Sequence, residues 1–166
     1  MLDPATMSLA AQVLEKLRGR GQMLVTAESC TGGLVAASLT SISGSSEFVW
    51  GGFVTYDNTA KTAMIGVPEA LLAPGGPGAV SEEVARAMAE GALRHAHAAE
   101  PRVAYAIAIT GVAGPAESER KPVGLVHFAL ATAAATRHVE KRFGRLDRAM
   151  IRDLSTRQAL QMLLEG

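Results

Sequence analysis

The chain has 166 residues, 48% hydrophobic and 19% charged, which fits one globular domain over residues 1–166 with a sizeable core. Sixteen Lys and Arg offset sixteen Asp and Glu, which excludes a nucleic-acid partner held by bulk charge, and a single cysteine excludes an intrachain disulfide. No apolar run approaches the roughly 20 residues that span a bilayer, and Met1-Leu2-Asp3-Pro4 lacks the basic start of a signal peptide, so no membrane partner and a cytoplasmic location are expected.

Leu9, Val13, Leu14 and Leu17 predict a helix over residues 7–18, stopped by Gly19 to Gly21. Residues 23–27 read as a short buried strand and 33–40 as the helix after a turn, with a polar loop over 41–46. Residues 48–56 are rich in aromatic and β-branched side chains and read as a strand, with Gly51-Gly52 as a bulge or close approach. Asp57 or Asn58 caps a helix through Lys61 to Ile65, ended by Gly66 and Pro68.

The glycines and prolines of 74–78 form a loop. Ser81 then caps a helix with Glu82 and Glu83 in its first turn and a stripe of Val84, Met88, Ala92 and Leu93. The unbroken apolar run 103–110 is the candidate central strand, followed by a loop over 111–122. Residues 124–131 and 136–143 read as a hairpin, and 148–164 as an amphipathic helix carrying Met150, Ile151, Leu154, Ala159, Leu160 and Leu163. Strands alternating with helices and then a hairpin predict an α/β protein, a three-layer α/β/α sandwich on a mixed central sheet.

Ligands of such sheets gather where strand ends meet helix starts. Ser29, in the turn Thr26-Ala27-Glu28-Ser29-Cys30-Thr31-Gly32-Gly33, is either a nucleophile or a helix cap. The N–H groups of Cys30 to Gly33 would face an oxyanion or a phosphate. Cys30 competes with Ser29 as nucleophile, against the alternative of a small buried thiol.

Lys61 is either a base or a solvated surface lysine. Bringing a lysine from roughly 10.4 to about 7–8 costs the ammonium about 4 kcal/mol. The helix dipole supplies only about 0.3–1 kcal/mol of that, so burial or a nearby cation must supply the rest. Thr110-Gly111-Val112-Ala113-Gly114-Pro115 suits close approach to a ligand or an ordinary tight turn. Arg145 and Arg148 are either phosphate clamps or solvent-facing side chains. His95 and His97 do not share a helix face, and His127 and His138 fall in separate strands, so no metal site is expected.

Together, Ala27-Glu28-Ser29-Cys30-Thr31-Gly32-Gly33, Gly44-Ser45-Ser46, Gly51-Gly52, Tyr56-Asp57-Asn58-Thr59-Ala60-Lys61, Gly78-Ala79-Val80-Ser81-Glu82-Glu83-Val84-Ala85 and Thr110-Gly111-Val112-Ala113-Gly114-Pro115 closely resemble the CinA carboxy-terminal domain family, which includes bacterial nicotinamide mononucleotide deamidases. The resemblance covers about residues 9–164, with its motifs in the family's order. It implies hydrolysis of nicotinamide mononucleotide to nicotinate mononucleotide and ammonia, in pyridine nucleotide salvage, with neither metal nor cofactor. Ser29 would be the nucleophile, Lys61 its base, and Tyr56 would orient the pair or share the proton transfer.

By the same resemblance Cys30, Thr31, Gly32, Gly33, Thr110, Gly111 and Gly114 would hold the substrate. The family's Phe-x-Gly-Asp-Arg pattern, stretched here by one residue, makes Arg148 the first choice for the phosphate and Arg145 the second. Relatives follow Ala-Gly-Pro with glycines, whereas this chain has Ala116-Glu117-Ser118-Glu119-Arg120, a stiffer and more acidic loop expected either to reshape the site or to weaken binding of an anionic substrate. Many relatives carry a further amino-terminal domain, so a free-standing form that assembles as a homodimer or higher homo-oligomer is expected. The alternative reading is a nucleotide-binding or regulatory domain with little or no turnover, linked to competence or the DNA-damage response.

Overall fold

The computed structural model describes residues 3–166. Asp3 caps the first helix, α1 (Pro4–Arg20), by accepting from the N–H groups of Ala5 and Thr6, and Pro4 occupies the first turn, where its missing N–H is not needed. The cap starts the helix ahead of its first periodic leucine, and the left-handed backbone of Gly21 closes it. Then follow β1 (Met23–Glu28), α2 (Leu34–Thr40), a 3-10 turn (Ser45–Glu47), β2 (Val49–Val54), α3 (Asn58–Ile65) and α4 (Glu69–Leu72). The remainder is α5 (Glu82–Ala99), β3 (Val103–Gly111), β4 (Leu125–Ala131), β5 (Thr136–Arg142) and α6 (Arg148–Glu165). Four-residue α4 is absent from the sequence reading because one turn is too short for a helical period to register.

The strands form one five-stranded sheet in the order β2-β1-β3-β4-β5. β1 pairs in parallel with β2 and β3, while β3 with β4 and β4 with β5 are antiparallel. The apolar run 103–110 therefore lies in the central strand, and the sheet is mixed. Trp50 is the extra residue of a bulge beside Gly51, and a Cβ on Gly52 would stand 2.5 Å from Thr26 Oγ1, so the glycine pair serves both of its expected purposes.

Strand alternation sends different side chains to the two faces. Leu24, Ile107, Ile109, Phe128 and Leu130 form the floor under α1, α2 and α6. Val25, Ala27, Ala106, Ala108, Ala129 and Ala131 meet α5, whose own Ala85, Ala89, Ala92 and Ala96 are buried against them. Alanine against alanine brings α5 close to the sheet. On its outer side α5 touches α3 at Gly91, where a side chain would run into the Ile65 carbonyl. Helices thus cover both faces of the mixed sheet, giving the three-layer α/β/α sandwich.

In α6 the buried stripe is Ile151, Ser155, Thr156, Ala159, Leu160, Met162 and Leu163. Met150, expected in that stripe, is 47% exposed. Among the described residues no helix is long and apolar enough to cross a membrane.

The pairing directions send β1, β2, β3 and β5 toward one edge of the sheet. The turns after β1 and β2, the loop after β3 and the entry to α6 are therefore neighbours in space. Chemistry on this sheet has one natural location, the carboxyl edge.

Candidate active site

Ser29 is the first residue past β1, and its N–H still bonds to the Ile109 carbonyl at 3.0 Å, so the sheet fixes its backbone. It does not cap α2. The residue at that cap is Gly33, which has no side chain to offer. The capping group is Glu28, fully buried at the end of β1.

Glu28 Oε2 accepts from Thr31 Oγ1 at 2.7 Å, from the Gly33 N–H at 3.0 Å and from the Val35 N–H at 3.1 Å. Its Oε1 takes the Ala36 N–H at 2.9 Å. A carboxylate at a helix N-terminus meets the positive end of the dipole and the open donors together. Sequence reasoning missed this role. Its signal was an acidic residue ending an apolar strand, ahead of a helix whose first turn offers only glycines as caps.

With α2 capped from β1, the Ser29 hydroxyl is free to face the next turn. Asp57 caps α3 through the Thr59 N–H at 2.8 Å, which sets Lys61 in the first turn of that helix. Lys61 is only 1% exposed. Its Nζ lies 3.2 Å from Ser29 Oγ, 2.9 Å from the Thr55 carbonyl and 3.4 Å from the Tyr56 carbonyl.

Burial holds the Lys61 pKa below the ordinary lysine range, against the opposing pull of Asp57 and Glu119. Burial is thus the dominant depressing influence, as the energy comparison required. A neutral amine here donates its two N–H bonds to the two carbonyls and presents its lone pair to the serine hydroxyl. Such an arrangement can take a proton from Ser29.

These groups open on a cavity of about 390 Å³ whose wall also includes Thr110, Gly114, Glu119 and Arg148. Cys30 lines it through a side chain that is 5% exposed, and burial pushes its thiol up to about 12, far from a reactive thiolate. The Cys30 N–H has no oxygen acceptor among the described residues. The neighbouring donors are occupied, Gly32 by the Ser29 carbonyl at 3.0 Å and Gly33 by Glu28. Thr31, Gly32 and Gly33 do not line the cavity, which corrects the expectation that the whole turn faces a ligand.

Thr110 lines the cavity beside Ser29, but its hydroxyl donates to the Ala79 carbonyl at 2.7 Å, tying β3 to the loop before α5. Gly111 and Gly114 are small because β4 and its approach lie against them: added side chains would sit 2.7 Å from Val126 and 2.8 Å from Val123. The Tyr56 phenol accepts from Arg148 Nη2 at 2.8 Å, so Tyr56 meets Lys61 through its carbonyl and not through its ring hydroxyl. Arg148 Nη1 also donates to the Gly114 carbonyl at 2.7 Å, bracing the guanidinium in the cavity wall.

Arg145 points elsewhere, pairing with Glu117 at 3.3 Å outside the cavity. Of the two arginines, only Arg148 is at the site. Arg152, one turn further along α6, was not singled out in sequence. It donates to the carbonyls of Cys30 and Thr31, each at 3.1 Å, and so braces the nucleophile turn. Its four-residue spacing from Arg148 is the signal that placed both on one helix face. His127 and His138, read as lying apart, are brought by the β4–β5 hairpin to 2.9 Å.

Comparison with known proteins bears on what this arrangement does. The profile of the CinA C-terminal domain matches residues 6–166. The chain is 48% identical over 164 residues to the nicotinamide-nucleotide amidohydrolase PncC of Escherichia coli strain K12, covering 98% of this chain and 95% of that one. It is 49% identical over 158 residues to a CinA-like protein of Synechococcus sp. strain RCC307, covering 94% of this chain but only 36% of that longer relative. In three dimensions it superposes on the competence/damage inducible protein CihA of Agrobacterium tumefaciens with a TM-score of 0.91 and 43% identity, covering 99% and 97% of the two chains.

Proposed function

The chain belongs to the CinA C-terminal domain family, and from that premise we propose that it hydrolyses the carboxamide of nicotinamide mononucleotide, giving nicotinate mononucleotide and ammonia. The observation that carries the reading is the 3.2 Å contact between the Ser29 hydroxyl and the buried Lys61 amine on the wall of one cavity.

In the first step Ser29 Oγ attacks the carboxamide carbon while its proton moves to Lys61 Nζ. The Cys30 N–H, which has no oxygen acceptor among the described residues, is the donor offered to the resulting oxyanion. Lys61, now an ammonium, returns the proton to the amide nitrogen. The C–N bond breaks, ammonia leaves and the acyl group remains on Ser29 as an ester. Water then attacks that ester, its proton passes through Lys61 to Ser29 Oγ, and the acid departs. The sum is one amide and one water in, one acid and one ammonia out.

Arg148 binds the substrate's phosphate as a braced guanidinium, and Tyr56, which holds Arg148 through its phenol, positions it. Thr110 lines the same cavity. The same reading takes the protein as cytoplasmic, self-associating and independent of nucleic acid, returning nicotinamide mononucleotide to the pyridine nucleotide pool as the acid. It is tested by ammonia release from nicotinamide mononucleotide, by wild type and by Ser29→Ala. Wild type releases ammonia stoichiometrically with the acid, and Ser29→Ala does not while unfolding at the same temperature. Saturable binding of the nucleotide with no ammonia would overturn hydrolysis in favour of a binding domain.

A further inference from the structure

Among the described residues, one carboxylate on the cavity wall has no hydrogen-bond or ion-pair partner. Asp57, on the same wall, is engaged as the cap of α3, accepting from the Thr59 N–H at 2.8 Å and the Thr59 hydroxyl at 2.6 Å. Glu119 also lines the cavity, yet among the described residues its carboxylate makes neither a hydrogen bond nor an ion pair. Its position is nevertheless built. Glu119 and Arg120 have φ of 51° and 62°, a left-handed conformation that non-glycine residues rarely adopt and that the surroundings must hold.

The surroundings do hold it. Ser118 and Lys121 bond to each other's backbone, Lys121 N–H to Ser118 at 2.8 Å and Ser118 N–H to Lys121 at 3.3 Å, making Glu119 and Arg120 the tip of a tight turn. The Lys121 amine fastens that turn to the Pro77 carbonyl at 2.6 Å and to the Val80 carbonyl. Glu119 itself lies against Gly78, where any side chain would collide with its carboxylate. Glu119, exposed on the cavity wall, is thus held there by a fixed turn.

We propose that Glu119 is a specificity residue of this site: its carboxylate reads the positive charge of the substrate's pyridinium ring and selects the cationic ring over the neutral dihydropyridine form. The inference rests on the hydrolytic reading above. The carboxamide is attached directly to that ring, so a carbonyl at Ser29 brings the ring cation close to the Ser29–Lys61 pair. Glu119 lines the same cavity as Ser29 and Lys61. The phosphate lies toward Arg148. The two ends of the dipolar substrate therefore meet opposite charges.

The test compares wild type, Glu119→Gln and Glu119→Asn, the last because asparagine tolerates the left-handed backbone and keeps the turn. Glu117→Gln, whose partner Arg145 lies outside the cavity, is the control. Steady-state ammonia release is measured with nicotinamide mononucleotide and with its reduced form, and binding of both and of the acid product by calorimetry. Both Glu119 variants lose about tenfold in kcat/KM and affinity for the cationic substrate, the scale of one partly screened charge pair.

The neutral-ring substrate, and the product whose own carboxylate offsets its ring cation, change less than about twofold by the same reasoning. Glu117→Gln leaves these ratios unchanged. Equal effects on cationic and neutral rings, or no effect on either, would overturn the charge role. If wild type releases no ammonia, hydrolysis fails. The charge inference then stands if Glu119→Gln still removes a preference for binding the cationic ring, and falls if wild type has no such preference.

Discussion

After β1 the chain buries Glu28 and supplies its carboxylate with four donors; after β2 it buries Lys61 and supplies its amine with two carbonyls and a hydroxyl. Both side chains sit at the start of a helix on the same edge of the same sheet. The carboxylate lies where the helix dipole favours its charge, and all four of its hydrogen bonds come from donors. The lysine lies where dipole and burial both disfavour its charge, and no carboxylate touches it. One turn is built for rigidity and the other holds a group poised to change protonation. Their contact is the Ser29–Lys61 pair, in the proposed mechanism a nucleophile fixed by the first turn and a base supplied by the second.

That contrast breaks most visibly at Lys61. Lys61→Ala is expected to lower kcat/KM for ammonia release by about 10⁴-fold, and the double variant with Ser29→Ala to be no worse than either alone, because the two act as a unit. Simple multiplication of the two losses in single-turnover assays would separate their roles and sink the pairing. Next in size, Glu28→Gln is expected to cost about 3 kcal/mol, since an amide cannot satisfy four donors and sets N–H against N–H. For a chain of this length that lowers the melting midpoint by about 6–12 °C, and an unchanged midpoint in a thermal scan would remove the carboxylate from its structural role.

The smallest effect concerns sign. Lys61 is depressed below its unfolded value of 10.5, so between its folded pKa and 10.5 the unfolded chain binds more protons than the native one. Stability contributed at this position therefore rises with pH across that window. Urea midpoints of wild type relative to Lys61→Met should shift in favour of wild type as pH is raised toward 10.5. Hydrolysis should climb through the same limb as the amine loses its proton, and a flat or falling activity profile there would contradict a lysine base.

Much of this was legible in the residues themselves, because caps and apolar periodicity are local. Ser81 and Asp57 announce α5 and α3, the run 103–110 announces the central strand, and Ser29 and Lys61 sit on recognisable turns. What escaped is long-range. The capping of α2 by Glu28 depends on a carboxylate eight residues from its most distant donor. Resemblance already favours Arg148 over Arg145, but the bracing of Arg148 by Tyr56 and Gly114 is not legible, because only the folded sheet edge brings them to it. Thr31, Gly32 and Gly33 looked like a ligand cradle because a glycine-rich turn before a helix has open donors, and nothing local reveals that Glu28 takes the Thr31 hydroxyl and the Gly33 N–H while the Ser29 carbonyl takes the Gly32 N–H.

Gly91 makes the catalytic pair sensitive to a place that touches neither member of it. α3 carries Lys61 in its first turn and rests its last residue, Ile65, against α5 at this glycine. The helix is a short lever with the amine on one arm and this contact on the other, and the thickness of the contact is a bare backbone. A Cβ there would collide with the Ile65 carbonyl oxygen, so Gly91→Ala is expected to displace α3 and lower ammonia release, which the same steady-state assay checks. A relative that retains Ser29, Lys61 and Arg148 but has gained a side chain at this position is expected to release ammonia more slowly while keeping those residues. Reading activity across such chains therefore requires the spacer as well as the site.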